Sequence, residues 1–524
     1  MLNLPMEQAD KLLQTMTPAQ KIGQLMMASI EVTEMDDATR AFLRENYVGN
    51  VILFGKNCSD RAQIARLNHA IQAEITRNTG AQALISIDQE GGPVLRIQKG
   101  ASIFPCAMAI GASGDPLNAY LTGLMEGNEL RSLGICFDLA PVLDINGDND
   151  DPAMGRRSYG ATGVETALFG GAFARGLRES GVIDCGKHFP GSGLNRVDTH
   201  FSFVRDETSE VQIRYQLLPP FQKVMQEGMQ AIMTTHVCYP ALEPEGYPAT
   251  MSPRILQELV RKELGFEGLI ISDGMQMDAI AKTYGPPRGC VMAIKAGCDL
   301  VITGNGGDNA SADGLSVQTP CYQALLSALE SGELPMERVN DAVRRVLAFK
   351  LMLGDLRPAD DVESRDWSAH AAFFDALAQS AVTVHRDEEH LLPLPEKALF
   401  VCEKPRSRFG VEEGDKLLKG FARLAARQLK GTALEYVDQP EEESVRQAAR
   451  EASAVVFGAA SPVALKRLLP LMDSLQAEGR KVALVCLDAP YLAKQADHLP
   501  CVISCYDQTV QAIGCVCRTL GGKA

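Results

Sequence analysis

Residues 230–273 read QAIMTTHVCYPALEPEGYPATMSPRILQELVRKELGFEGLIISD. Two short runs rich in β-branched residues, QAIMTTHV and GLIISD, enclose SPRILQELVRKELG, whose apolar residues recur at helical spacing. The runs are apolar throughout rather than alternating, as strands covered on both faces should be. A strand, a helix and a second strand in that order make a parallel β/α unit. Working outward, the same kind of run recurs as IGQLMMA, VGNVILF, ALISID, ICFDLAPV, VIDCGKHF and CDLVITG. Helical patterns such as DRAQIARLNHAIQAEITRN, NAYLTGLMEGNELRSLG and VETALFGGAFARGLRESG lie between them. Eight units of this kind predict an α/β fold, a (β/α)8 barrel of the TIM type, over residues 1–355.

After the eighth run, ERVNDAVRRVLAFKLMLG ends in glycine, and the polar, proline-containing DLRPADDVESRDW follows. This predicts a linker over 356–370. From 371 to 524 a second alternation runs through ALFVC, a helix around GDKLLKGFARLAARQLKG, ALEYVD, ASAVVFGAA, KVALVCL, PCVISCY and a final helix. It predicts a smaller α/β/α sandwich domain.

The 524 residues carry a net charge of -15, with 46% hydrophobic and 22% charged residues, which suits an ordinary globular protein and repels nucleic acid. No run approaches a membrane span. The opening MLNLPMEQADKLLQTM places acidic residues early and lacks a basic stretch before an apolar core, so no secretory signal and a cytoplasmic location are expected. Many of the fourteen cysteines sit inside apolar strand-like runs and read as buried free thiols. Cys501, Cys505, Cys515 and Cys517 lack a CxxC pair and a histidine pair, so no metal is expected, and nothing calls for a cofactor.

A barrel of this type carries its chemistry at the carboxyl ends of its strands. The third run ends in Asp88 and continues QEGGPVLR to Arg96, the fifth ends in Lys187 and His188, the sixth reaches His236, and the seventh ends in Asp273. After the fifth, KHFPGSGLNRVDTH holds Pro190, Gly191 and Gly193, which forbid a regular helix and predict a loop over the mouth. Asp198 and His200 stand two apart in it. In an extended stretch both project to one side, where a carboxylate can orient an imidazole for proton transfer. By residue type alone, His200 reads first as a solvated loop histidine, Asp273 equally as a helix cap for GMQMDAI, and Asp88 as a turn cap beside Gly91 and Gly92. Neither that glycine pair nor GNGGDN after the eighth run fits a phosphate loop, and HExxH and GxSxG are absent.

With these residues assembled, the chain resembles the family 3 glycoside hydrolases, in their two-domain β-N-acetylglucosaminidase (β-N-acetylhexosaminidase) branch. The resemblance spans KIGQLM, VGNVILFGKN, LISIDQEGGPVLRI, FPCAMAIGA, FDLAPVLDI, GRRSYG, KHFPGSG with VDTH, IMTTHVCYPAL and FEGLIISDGMQM. It implies a retaining exo-enzyme that removes terminal β-linked N-acetylglucosamine through a covalent glycosyl-aspartate. Asp273 would be the nucleophile, His200 the acid/base and Asp198 its partner, while Asp88, Arg96, Arg157, Lys187 and His188 would bind the sugar. The implied partner is a small carbohydrate, a muropeptide from cell-wall turnover. Departures from the family pattern fall at Ser192, Leu194, Asn195 and Arg196 in the loop, at SDGMQM, at Lys56 and at GNGGDN. They leave the aglycone open and remove no catalytic group.

Three other readings stay open at this level: a β-glucosidase of the same superfamily, a phosphorylase in which phosphate replaces water, and a catalytically silent sugar-binding scaffold. Every residue assigned to the reaction lies between Asp88 and Asp273, so the second domain is expected to be dispensable for the chemistry.

Overall fold

The computed structural model describes residues 2–147, 154–192, 204–304, 314–405, 420–488 and 491–523. Eight strands form the first sheet: β1 (Met26–Ser29), β2 (Asn50–Leu53), β3 (Leu84–Ile87), β4 (Phe137–Asp138), β5 (Cys185–Phe189), β6 (Ala231–Thr234), β7 (Leu269–Gly274) and β8 (Leu300–Ile302). They pair in parallel in the order β4-β3-β2-β1-β8-β7-β6-β5. Parallel bridges from Phe137 to Ile183 and from Val142 to Lys187 bring the two ends together and close the barrel.

The burial explains why the runs lack alternation. Met27, Ile52, Leu84, Phe137, Cys185, Met233, Ile271 and Ile302, one from each strand, join a single buried cluster inside the barrel. Their neighbours Val51, Ile85, Ile232, Ile270 and Val301 belong to clusters shared with the surrounding helices. Both faces of β1 to β3 and of β6 to β8 are therefore apolar. The helix Arg61–Thr79 starts where the Asp60 side chain accepts the Gln63 N–H at 2.9 Å, and it stops at Gly80, whose φ of 76° suits a residue without Cβ. At the amino end of the barrel, Lys350 of the helix Met336–Leu353 donates to Gln24 Oε1 (2.6 Å) and to the Gly49 carbonyl (2.9 Å). Burial pushes its ammonium down to about 7.

The second sheet contains β9 (Thr383–Asp387), β10 (Leu399–Glu403), β11 (Thr432–Tyr436), β12 (Val455–Ala459), β13 (Val482–Cys486) and β14 (Cys501–Ser504). Their order is β9-β14-β13-β12-β10-β11, with β9 antiparallel and the rest parallel. Leu399 and Val401 of β10 face one apolar cluster and Phe400 and Cys402 the other, so helices cover both faces. Barrel and sandwich are the two architectures the sequence predicts. Strand β9 escapes the sequence reading: it lies at a sheet edge with His385 and Val384 exposed, so it has little apolar signal. The expected helix near 414–431 is observed as Phe421–Leu429, and its stretch 414–419 lies outside the described residues. The helix Ser368–Ala381 packs on the barrel, with Phe374 5.6 Å from Phe104 between ring centroids. Thirteen of the fourteen cysteines are buried.

Candidate active site

All eight strands of a parallel barrel end on one face, so the side chains just beyond them ring one mouth. After β3 the chain turns back as a small hairpin, Gln89–Gly91 against Val94–Leu95. Gly91 and Gly92 make its turn with φ of 93° and 55°, and a Cβ on Gly91 would stand 2.4 Å from the Pro105 carbonyl. The glycine pair is thus a turn, and it folds Glu90 and Arg96 back over the mouth beside Asp88.

These groups meet Lys187 from β5. Lys187 Nζ lies 2.7 Å from Asp88 Oδ1 and 2.5 Å from Glu90 Oε1. Arg157 grips Glu90 with two nitrogens, Nε to Oε2 at 2.7 Å and Nη2 to Oε1 at 2.9 Å, and Arg96 Nη2 stands 3.3 Å from Asp88 Oδ2. Lys187 is 1% exposed and none of the five exceeds 8%, so the attractions act in a dry setting. Burial alone would raise the Asp88 and Glu90 carboxyls. Lys187 and Arg96 outweigh it at Asp88, and Arg157 and Lys187 outweigh it at Glu90, so both stay below the usual carboxylate range. Beneath them burial holds Asp138 and Glu126 well above that range, Asp88 and Glu90 adding at Asp138 and Asp138 adding at Glu126.

Strand β5 slips register against β6 between Lys187 and Phe189, which makes room for His188 as an extra residue. His188 Nδ1 lies 2.7 Å from Asp144 Oδ2, and its own N–H donates to that oxygen at 3.0 Å. Asp144 Oδ1 takes the Ser192 N–H at 2.7 Å. A carboxylate accepts only, so Nδ1 carries the hydrogen and Nε2 is left as the acceptor of the neutral ring.

Strand β7 carries a similar irregularity, since its register with β8 shifts between Ile271 and Gly274. The extra residue re-aims Asp273 at the carboxyl end of the strand. Its Oδ1 accepts the Gly274 N–H at 2.7 Å, and the residue is half-buried. His236 braces the same turn: Nε2 is 3.0 Å from the Gly274 carbonyl and Nδ1 is 2.9 Å from Thr250 Oγ1. A carbonyl cannot donate, so Nε2 bears the hydrogen, and Thr250 Oγ1 in turn donates to the Thr235 carbonyl at 2.9 Å.

The structure therefore brings Asp88, Arg96, Arg157 and Lys187 into one lattice, with His188 adjacent to Lys187 and Asp273 across the mouth at the end of β7. Asp198 and His200 lie outside the described residues. Glu90 and Asp144 were missed as site residues. Both sit a few positions past a strand end, inside IDQEGG and FDLAPVLDI, where a carboxylate following an apolar run is the available signal. Among the described residues no group of three His, Cys, Asp or Glu side chains could hold a metal ion, and no helix is long and apolar enough to cross a membrane.

Residues 17–349 match the family model for the glycosyl hydrolase family 3 N-terminal domain. The chain belongs to glycoside hydrolase family 3. This family 3 glycoside hydrolase is 35% identical over 284 residues to a β-hexosaminidase of Stenotrophomonas maltophilia, an overlap of 53% of this chain and 82% of that one. It is 32% identical over 348 residues to a β-hexosaminidase of Nitrosomonas eutropha, covering 65% of this chain and 96% of the relative. Among solved structures, a family 3 β-N-acetylglucosaminidase from Paenibacillus sp. FPU-7 superposes with a TM-score of 0.84 at 30% identity, over 97% of both chains.

Proposed function

We propose that this glycoside hydrolase is a retaining exo-β-N-acetylglucosaminidase that works through a glycosyl-aspartate on Asp273. The observation that carries the reading is Asp273 at the bulged end of β7, across the mouth from the Asp88–Lys187–Glu90–Arg157 lattice. A retaining enzyme needs a carboxylate nucleophile on one side of the anomeric carbon and a proton donor for the leaving oxygen. Here His200 serves as acid/base, with Asp198 fixing its tautomer, and Asp88, Arg96, Arg157, Lys187 and His188 bind the sugar. The lattice suits recognition of hydroxyl groups and an acetamido group, because rigid, charged donors and acceptors strongly reject an analogue lacking the matching group. Similarity to relatives named as β-hexosaminidases and to a β-N-acetylglucosaminidase supports N-acetylglucosamine as that sugar.

In this reading the substrates are muropeptide fragments and the enzyme works in the cytoplasm, a reducing compartment that suits a core rich in buried thiols. The division into a catalytic domain over 1–355, a linker over 356–370 and a sandwich over 371–524 belongs to the same proposal. The test compares kcat/KM on p-nitrophenyl N-acetyl-β-glucosaminide and the matching β-glucoside. The first should be cleaved and the second nearly inert; equal rates or a preference for the glucoside would overturn the assignment.

A further inference from the structure

Next to Arg157 in sequence is Arg156, itself 4% exposed, and its guanidinium leaves the barrel for the sandwich. Its Nη1 makes a short ion pair with Asp488 Oδ1 and lies 3.7 Å from Asp507 Oδ1. These two carboxylates follow the carboxyl ends of the adjacent parallel strands β13 and β14, so neighbouring loops of one sheet converge on a single barrel side chain. Gln508 ties the pair together: its Nε2 donates to Asp488 Oδ2 at 2.8 Å and its backbone N–H to Asp507 Oδ1 at 2.7 Å.

The same loop reaches the other half of the sugar-binding lattice. Cys106 Sγ donates to the Tyr506 carbonyl at 3.3 Å, and a Cβ on Gly92 would stand 2.7 Å from Asp507 Oδ2. Gly92 is two residues from Glu90, and Arg156 is one residue from Arg157. The sandwich thus touches the chain on both sides of the Glu90–Arg157 ion pair. Asp507 is 1% exposed, and burial pushes its carboxyl up to about 6 against the pull of Arg156. Keeping a carboxylate that dry is costly unless its partner is held firmly.

We propose that Asp488 and Asp507 are positioning residues for sugar binding: by clamping Arg156 they fix the segment that aims Arg157 at Glu90 and at the substrate. The inference rests on the reading of the lattice as the sugar site. It reverses the expectation that the second domain is dispensable for the chemistry, because the clamp makes substrate affinity depend on two carboxylates that the barrel does not supply.

The test uses the full-length enzyme and whichever aryl glycoside the wild type turns over. A wrong sugar assignment then changes the substrate and leaves this test intact. Asp488→Asn, Asp507→Asn and the pair together should raise KM by ~10-fold with kcat within about threefold, the scale expected when a binding group is displaced by a remote change. Arg156→Met should do the same, Arg156→Lys should restore part of the loss, and adding Asp488→Asn to Arg156→Met should cost nothing more. Gln508→Ala removes only a neutral donor and should give a smaller KM shift in a chain that folds normally. Trp367→Leu loosens the barrel contact at Arg61, whose guanidinium lies 3.8 Å over the indole, and should lower Tm with KM unchanged. Unchanged KM in Asp488→Asn/Asp507→Asn, losses that multiply in the double variant, or an equal KM shift in Trp367→Leu would each overturn the clamp.

Discussion

On the β3–β5 side of the barrel mouth, Asp88, Glu90, Arg96, Arg157 and Lys187 are all buried and each is held by at least one opposite charge. On the β7 side, Asp273 is half-buried, and its carboxylate takes the N–H of its own neighbour Gly274. The first side resembles a cast: each group holds another in place, and its carboxyls stay ionised because cations surround them. The second is stiff in its backbone, through the bulge and the His236–Gly274 contact, and leaves a carboxylate near the open mouth. In the proposed function the first side recognises the sugar and the second reacts with it. Substitutions on the two sides should therefore separate stability and affinity from turnover.

The largest effect is expected at Asp273. Asp273→Asn should lower kcat by roughly 10³-fold or more, with Tm nearly unchanged, because a covalent step loses its nucleophile while the substitution is isosteric at a half-buried position. Steady-state kinetics beside a thermal melt checks this, and a comparable fall in Tm would erase the distinction between the two sides. At Lys187 the pattern should invert. Lys187→Met leaves Asp88 and Glu90 buried without the cation between them, so unfolding in urea should show a loss of about 3–5 kcal/mol, and KM should rise. A variant of normal stability would mean the lattice is not the brace described here.

A milder change is expected beside the lattice. Asp144→Asn removes the charge and one of the two acceptor oxygens that hold His188 and the Ser192 N–H in place. KM should rise by ~10-fold with a smaller change in kcat, since the group acts on binding geometry rather than on bond breaking. Equal losses in both constants would move His188 to the reacting side.

The smallest effect concerns the far pole of the barrel. Burial depresses Lys350 to about 7, below its value in the unfolded chain, so the unfolded state binds more protons above that pH. The cost of the buried ammonium is present in full below about pH 7 and is relieved as pH rises toward the unfolded value near 10. The stability of wild type relative to Lys350→Met should therefore increase from pH 7 to pH 9.5 in parallel urea titrations. A flat difference would show that the ammonium titrates as it does in water. Activity should not follow this change, because the group sits at the end opposite the mouth.

How much of this was legible in the sequence follows the same division. The strands of the barrel announced themselves because both of their faces are buried, and an apolar run bounded by turn residues survives without any alignment. Edge strand β9 did not, because His385 and Val384 face solvent and the pairing with β14 is a tertiary fact. In the site, Asp88, Lys187, His188 and Asp273 were readable as ionisable groups directly at strand ends. Glu90 and Asp144 were not, since each reaches the mouth only through a turn or a loop whose path depends on contacts distant in sequence. Arg156 is the extreme case: its partners Asp488 and Asp507 lie more than 300 residues away, and no local pattern marks the three as a unit.

The proposed covalent bond between Asp273 and the sugar is open to direct measurement. The direct measurement is to trap the enzyme with a fluorinated N-acetylglucosaminyl donor whose intermediate turns over slowly, digest it and locate the sugar by peptide mapping. The adduct is expected on the peptide containing Ile271, Ser272 and Asp273, with fragmentation assigning it to Asp273 and with no adduct in Asp273→Asn. A sugar attached to Asp88, Glu90, Asp144 or any other carboxylate would contradict it.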